Sequence, residues 1–131
     1  MKIIRNKYIP LKGFAVMNIL GVLFVREDAE MTAEVLNHEA IHTRQQYEIM
    51  VASAILFLLV NTYSWWCYLL IIFAMPLVLY ALAWLIELIR HPYDSAYKDS
   101  PFEREAYINQ GNPNYLATRP YFAWVRYIRK S

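Results

Sequence analysis

Disulfides are excluded first, because the chain holds a single cysteine, Cys67, in an apolar run. No disulfide framework exists, and a reducing compartment fits. A dominant charge is also missing. Thirteen Lys and Arg against eleven Asp and Glu leave a formal net charge of +2, too modest to argue for nucleic acid. Helix breakers are absent over a long stretch, with no Gly or Pro from residue 22 to residue 75. Internal repeats, low-complexity tracts and linkers are lacking, so residues 1–131 read as one domain. Histidine is scarce, at three in the chain. A membrane oxygenase with its iron held on a helical hairpin needs more than that.

What is present is largely apolar. The chain is 58% hydrophobic and 16% aromatic, with mean hydropathy +0.21, too apolar for an ordinary soluble domain. From Ile49 to Ile89 the only formally charged residue is Glu87. Asn61-Thr62-Tyr63-Ser64 divides that run and suits a turn. The half from Trp65 to Ile89 is long enough to cross a bilayer. Ile49 to Val60 reaches that length only if the preceding helix runs into it, which predicts spans near 47–61 and 65–89. Tyr63, Trp65, Trp66 and Tyr68 resemble an interfacial aromatic belt, and Pro76 sits mid-span. The same hairpin buried in an oligomer is the other reading of this run.

All the basic residues lie before Ile49 or after Ile89. The positive-inside tendency then puts both termini on the cytoplasmic side of the plasma (inner) membrane. The tail from Arg119 to Lys130 is basic and aromatic, as an amphipathic helix on anionic headgroups would be. Phe14 to Val25 follows Lys2, Arg5, Lys7 and Lys12, yet no small-residue cleavage site follows it. Gly13 and Gly21 among β-branched and aromatic residues predict one or two strands there. Gly111-Asn112-Pro113-Asn114 reads as a turn. The expected fold is mainly α: a long helix continuing into a two-helix transmembrane hairpin, a small N-terminal strand or hairpin, a later helix and a C-terminal amphipathic helix.

Two of the three histidines carry the chemistry. In His38-Glu39-Ala40-Ile41-His42 the imidazoles lie four residues apart, on one helix face, where both reach a single cation. Glu39 sits beside that cation, placed to take a proton from water. This is the H-E-x-x-H pattern of zinc peptidases, and with so few histidines it arises by chance in about one chain in a few hundred. Asp28, Glu30 and Glu34 suit a helix start, and Thr32 suits its N-cap. A third protein ligand is required, with water in the fourth position. His91, Asp94, Asp99, Glu103 and Glu105 are the candidates. Phe102 to Tyr107 reads as a second helix start, with Ser100 as cap and Pro101 at its first position.

These elements resemble gluzincins of the HtpX and CAAX-prenyl-endopeptidase type, integral membrane zinc metallopeptidases. Those carry H-E-x-x-H, then hydrophobic spans, then E-x-x-A-D on a later helix. Glu103-Arg104-Glu105-Ala106-Tyr107 matches the second motif through its alanine. By that register Glu103 is the implied third ligand and Glu105 falls at an x position. Tyr107 stands where the family has an aspartate that orients a ligand, so that task passes to the phenol or to Glu105. The resemblance also implies an edge strand beside the active-site helix that pairs with the substrate backbone, and Gly21 to Val25 is its candidate.

The activity implied is zinc-dependent hydrolysis of peptide bonds near the cytoplasmic membrane surface. His38, His42 and Glu103 would hold Zn2+, and Glu39 would act as base. Tyr107, Tyr97 or Tyr93 would donate to the oxyanion. Substrates would be peptides or membrane proteins, the bilayer a partner, and a second copy could complete the cleft. A two-histidine, one-carboxylate set also suits iron. A non-catalytic membrane protein with a structural metal site is the rival reading, with His91 closing the site.

Overall fold

The computed structural model describes residues 1–10, 14–60, 65–90, 98 and 100–128. The chain begins as a three-stranded sheet of β1 (Lys2–Asn6), β2 (Val16–Ile19) and β3 (Val22–Arg26). Its order is β1-β3-β2, with β3 parallel to β1 and antiparallel to β2. Leu23 and Val25 alternate with less buried neighbours and are fully buried, which suits β3 to the centre. Leu20 and Gly21 join β2 to β3, both at positive φ, +51° and +82°. That is the geometry of a tight hairpin whose twist matches its strands. A side chain at Gly21 would also crowd the next element, since a Cβ there would stand 3.2 Å from Thr43 Cγ2.

Helix α1 (Ala33–Val60) starts where its cap predicts. The Thr32 hydroxyl accepts the Val35 N–H at 3.3 Å. With no breaker in its path the helix runs for 28 residues. The hairpin is fastened along it by polar groups. Gln46 accepts from the Leu20 N–H (2.6 Å) and donates to the Asn18 carbonyl (3.1 Å). The Asn18 amide donates to the Glu39 carbonyl (2.6 Å) and to Thr43 Oγ1 (3.0 Å). These bonds lay β2 beside the turn of α1 that carries Glu39.

Helix α2 (Trp65–Arg90) packs against α1, and α3 (Pro101–Asn109) packs on the other side of the same site. Ser100 caps α3 through Glu103 N–H at 3.4 Å, with Pro101 at its start. Phe102 stacks on Tyr80 of α2, centroids 4.3 Å apart, and meets Trp124 at 4.8 Å. This aromatic wedge sets the rotation of α3 and hence the direction of Glu103. A short α4 (Tyr115–Thr118) and a 3-10 turn (Ala123–Tyr127) close the described chain.

Three expectations need correction. The first is the transmembrane hairpin, because no helix among the described residues is long and apolar enough to cross a membrane. The geometry explains the difference. Tyr80 touches His42, so the second half of α2 lies beside the site rather than beyond it. Measured from the level of His42 and Tyr80, residues 43–60 and 65–79 extend past the site, about 27 Å and about 22 Å at 1.5 Å per residue. A hydrocarbon core is about 30 Å thick. The orientation read from the basic residues, a plasma-membrane protein with a cytoplasmic site and a bilayer partner, therefore loses its basis. Second, the tail from Arg119, expected as an amphipathic helix, holds only the 3-10 turn Ala123–Tyr127 among the described residues. Third, Val22 to Val25 is not an edge: both its sides are paired, and the edge nearest α1 is β2. The turn expected at Asn61-Thr62-Tyr63-Ser64 lies outside the described residues, as do His91, Tyr93, Asp94, Tyr97 and Asp99.

Candidate metal centre

One helical turn of α1 points His38 and His42 at a common point, and α3 brings Glu103 to it. The His38 and His42 Nε2 atoms are 3.0 Å apart. Glu103 Oε2 lies 3.3 Å from His38 Nε2, and Oε1 lies 3.2 Å from His42 Nε2. One donor atom from each of the three residues falls within 4.8 Å of the others. Ligands about 2.0–2.1 Å from a tetrahedral ion stand about 3.3 Å from each other. The spacing therefore fits a small divalent cation, and the cluster could hold one. All three side chains are buried.

The far side of each imidazole is engaged. His38 Nδ1 meets Gln110 Oε1 at 3.1 Å. His42 Nδ1 meets Gln45 Oε1 at 2.8 Å and the Tyr80 hydroxyl at 3.1 Å. Amide oxygens only accept, so each Nδ1 carries the hydrogen and each Nε2 keeps its lone pair for the shared point. Tyr107 meets His38 ring to ring in a T-shaped arrangement, centroids 4.7 Å apart.

Glu39 forms part of the wall on two adjoining hollows. One, of 290 Å3, is lined among others by Met17, Asn18, Glu39, His42, Leu77 and Glu103. The other, of 360 Å3, is lined by His38, Glu39, Lys98, Tyr107 and Gln110 among others. Both take Phe14 and Val16, so β2 and the residues before it border the whole length. Burial pushes the Glu39 carboxyl up, the His42, His38 and Asn18 contacts pull it down, and Glu103 adds to the rise. Burial opposes charging of His42, but its contact with Glu103 and the charge of Glu39 outweigh this and raise its pKa. Burial, then the charges of Glu103 and Glu39, raise the Tyr107 phenol.

Of the residues singled out in the sequence, His38, Glu39, His42 and Glu103 come together, with Tyr107 at the rim. Glu105 does not join them. It is fully buried and turned to Arg119, whose Nε donates to its Oε1, and to the Tyr115 hydroxyl at 3.0 Å. Sequence reasoning missed Arg119, Gln110, Tyr80 and Asn18 as parts of the site. Gln45, three residues from His42, could have been found by that spacing, which puts it on the same face.

Compared with protein-family models, with curated proteins and with solved structures, the chain matches none of them. The functional reading therefore rests on this geometry.

Proposed function

We propose that this chain is a metal-dependent peptidase, holding zinc on His38, His42 and Glu103 and using Glu39 as its general base. The observation that carries the reading is the joint position of Glu39 and three convergent ligands, bordered by an edge strand. Three protein ligands leave a coordination position for water or substrate, as catalytic zinc sites do. Bound there, the metal supplies Lewis-acid polarisation of a carbonyl and makes water more acidic.

The chain's own residues do the rest. β2 offers an edge for main-chain pairing with an extended peptide, a mode with little sequence selectivity. The Asn18 amide holds the Glu39 carbonyl at 2.6 Å and so fixes the turn that carries the base. Glu39 takes one proton from the attacking water as its oxygen bonds to the carbonyl carbon. It then delivers that proton to the leaving nitrogen as the C–N bond breaks. Tyr107, at the rim beside His38, is the oxyanion donor in this reading, supported by its place on the same hollow as Glu39.

Glu39→Gln is the test. The variant is expected to bind Zn2+ as the wild type does and to lose about 10²–10⁴ of the turnover of an unstructured casein-type substrate. Normal cleavage by that variant, or wild-type protein that binds zinc and cleaves no peptide, would overturn the reading.

A further inference from the structure

We propose that Arg119 is a positioning residue of the metal corner, acting through Glu105 and Gln45 on the imidazole of His42. The proposal rests on the metal reading of His38, His42 and Glu103, and not on peptide hydrolysis.

The chain of contacts starts at the guanidinium, whose side chain is 1% exposed. Its Nε donates to Glu105 Oε1 and its Nη2 to Glu105 Oε2 at 3.1 Å, a two-point grip on one carboxylate. Nη1 and Nη2 also reach Glu48, the second at 3.2 Å. The Tyr115 hydroxyl adds a third donor to Glu105 at 3.0 Å. Held this way, the Glu105 carboxylate is fixed in rotation and presents Oε2 to Gln45 Nε2 at 3.0 Å.

Gln45 is thereby oriented. Its NH2 group donates to Glu105 Oε2 and to the Phe102 carbonyl at 3.1 Å, so the amide oxygen faces the other way. That oxygen meets His42 Nδ1 at 2.8 Å and accepts the Tyr80 hydroxyl. An oxygen acceptor at Nδ1 selects the Nδ1–H tautomer and leaves the Nε2 lone pair facing Glu103. Without the fixed carboxylate only the Phe102 carbonyl holds the NH2 group, and the bias against turning it toward His42 is weakened. Once it turns, the opposite tautomer follows, with a hydrogen where the cation belongs. Arg119, 16 positions beyond Glu103 in the numbering, thus reaches the His42 imidazole through two side chains.

Glu48 supplies the control, since it shares the guanidinium and makes no hydrogen bond to Gln45 in this arrangement. Zn2+ affinity is measured on the full chain by competition with a chromophoric chelator. Arg119→Gln is expected to weaken binding about tenfold to a hundredfold. In a Gln45→Leu background the same change is expected to add less than about twofold, because the link it acts through is gone. Glu48→Gln is expected to lower Tm and leave affinity within about twofold. A full repeat of the Arg119→Gln loss in the Gln45→Leu background, or an equal loss in Glu48→Gln, would overturn the proposal. If Arg119→Gln does not fold, Tyr115→Phe takes its place in the same cycle, with a loss of a few-fold expected and additive losses overturning the proposal. Wild-type protein that takes up no Zn2+ would remove the metal reading itself, an outcome distinct from additive losses in protein that binds.

Discussion

Glu103 and Glu105 stand two residues apart on one helix, both buried, and belong to two different corners of one buried polar network. Glu103 faces two imidazole nitrogens at 3.2 and 3.3 Å. Glu105 faces the Arg119 guanidinium and a phenol. A buried carboxylate needs a compensating cation, and the two corners obtain it differently. One has it built into the chain as arginine. The other sets two imidazoles against its carboxylate and could hold an ion from solution. Helical spacing turns residues two apart to opposite sides, so a single short helix serves both corners.

The sharpest way to break this comparison is to remove each carboxylate in turn. Glu103→Ala deletes a ligand and is expected to take zinc content from near one ion per chain to near none, by metal analysis of purified protein. Glu105→Ala deletes a support and is expected to leave zinc bound at about tenfold to a hundredfold weaker affinity. Equal loss in both variants would mean that the corners are not separate, or that Glu105 is the ligand.

Stability separates them next. Arg119→Ala strands two carboxylates, Glu48 and Glu105, and removing one partner of a buried ion pair costs about 3–5 kcal/mol. Urea unfolding of chelated protein checks this, and a loss under about 1 kcal/mol would mean that the pair is solvated. Chelation probes the other corner. An ion at a thousand times its dissociation constant contributes about 4 kcal/mol. Wild type is therefore expected to lose Tm on chelation, and Glu103→Ala is expected to show no such drop.

The two corners were not equally legible in the sequence. His38, Glu39 and His42 could be read because their relation is local: four residues on a helix fix which face they share. Glu103 was legible only through a resemblance, and Glu105 remained a competitor. The choice between them depends on how α3 is rotated, which Phe102 decides by lodging against Tyr80 and Trp124. Arg119 left no trace, since nothing local ties it to a site so far back in the chain. The strands illustrate another limit. Val22 to Arg26 has the strongest strand character, and for that reason it takes the centre of the sheet with both edges paired. The edge falls to Val16–Ile19, where Asn18 interrupts the apolar pattern. β1, with Lys2 and Arg5 in five residues, gave no clear periodicity. Composition foretold a long apolar helical pair, but not that half of α2 would be drawn alongside the site by Tyr80.

The smallest expected effect is also the most selective. Tyr80 meets the metal corner: its hydroxyl contacts His42 Nδ1 and Gln45 Oε1, while its ring stacks on Phe102. Tyr80→Phe keeps the ring and removes the hydroxyl. Gln45 Oε1 still accepts from His42, so the tautomer is retained and one neutral hydrogen bond is lost, worth about 1 kcal/mol. Zinc affinity is therefore expected to fall no more than about fivefold to tenfold, from the same figure. The Arg119–Glu105 pair has no bond to this hydroxyl, so the chelated variant is expected to unfold within about 1 kcal/mol of wild type. A loss of affinity near a hundredfold would shift the orienting role from Gln45 to the phenol. The relay from Arg119 would then end one residue short of the imidazole it is argued to hold.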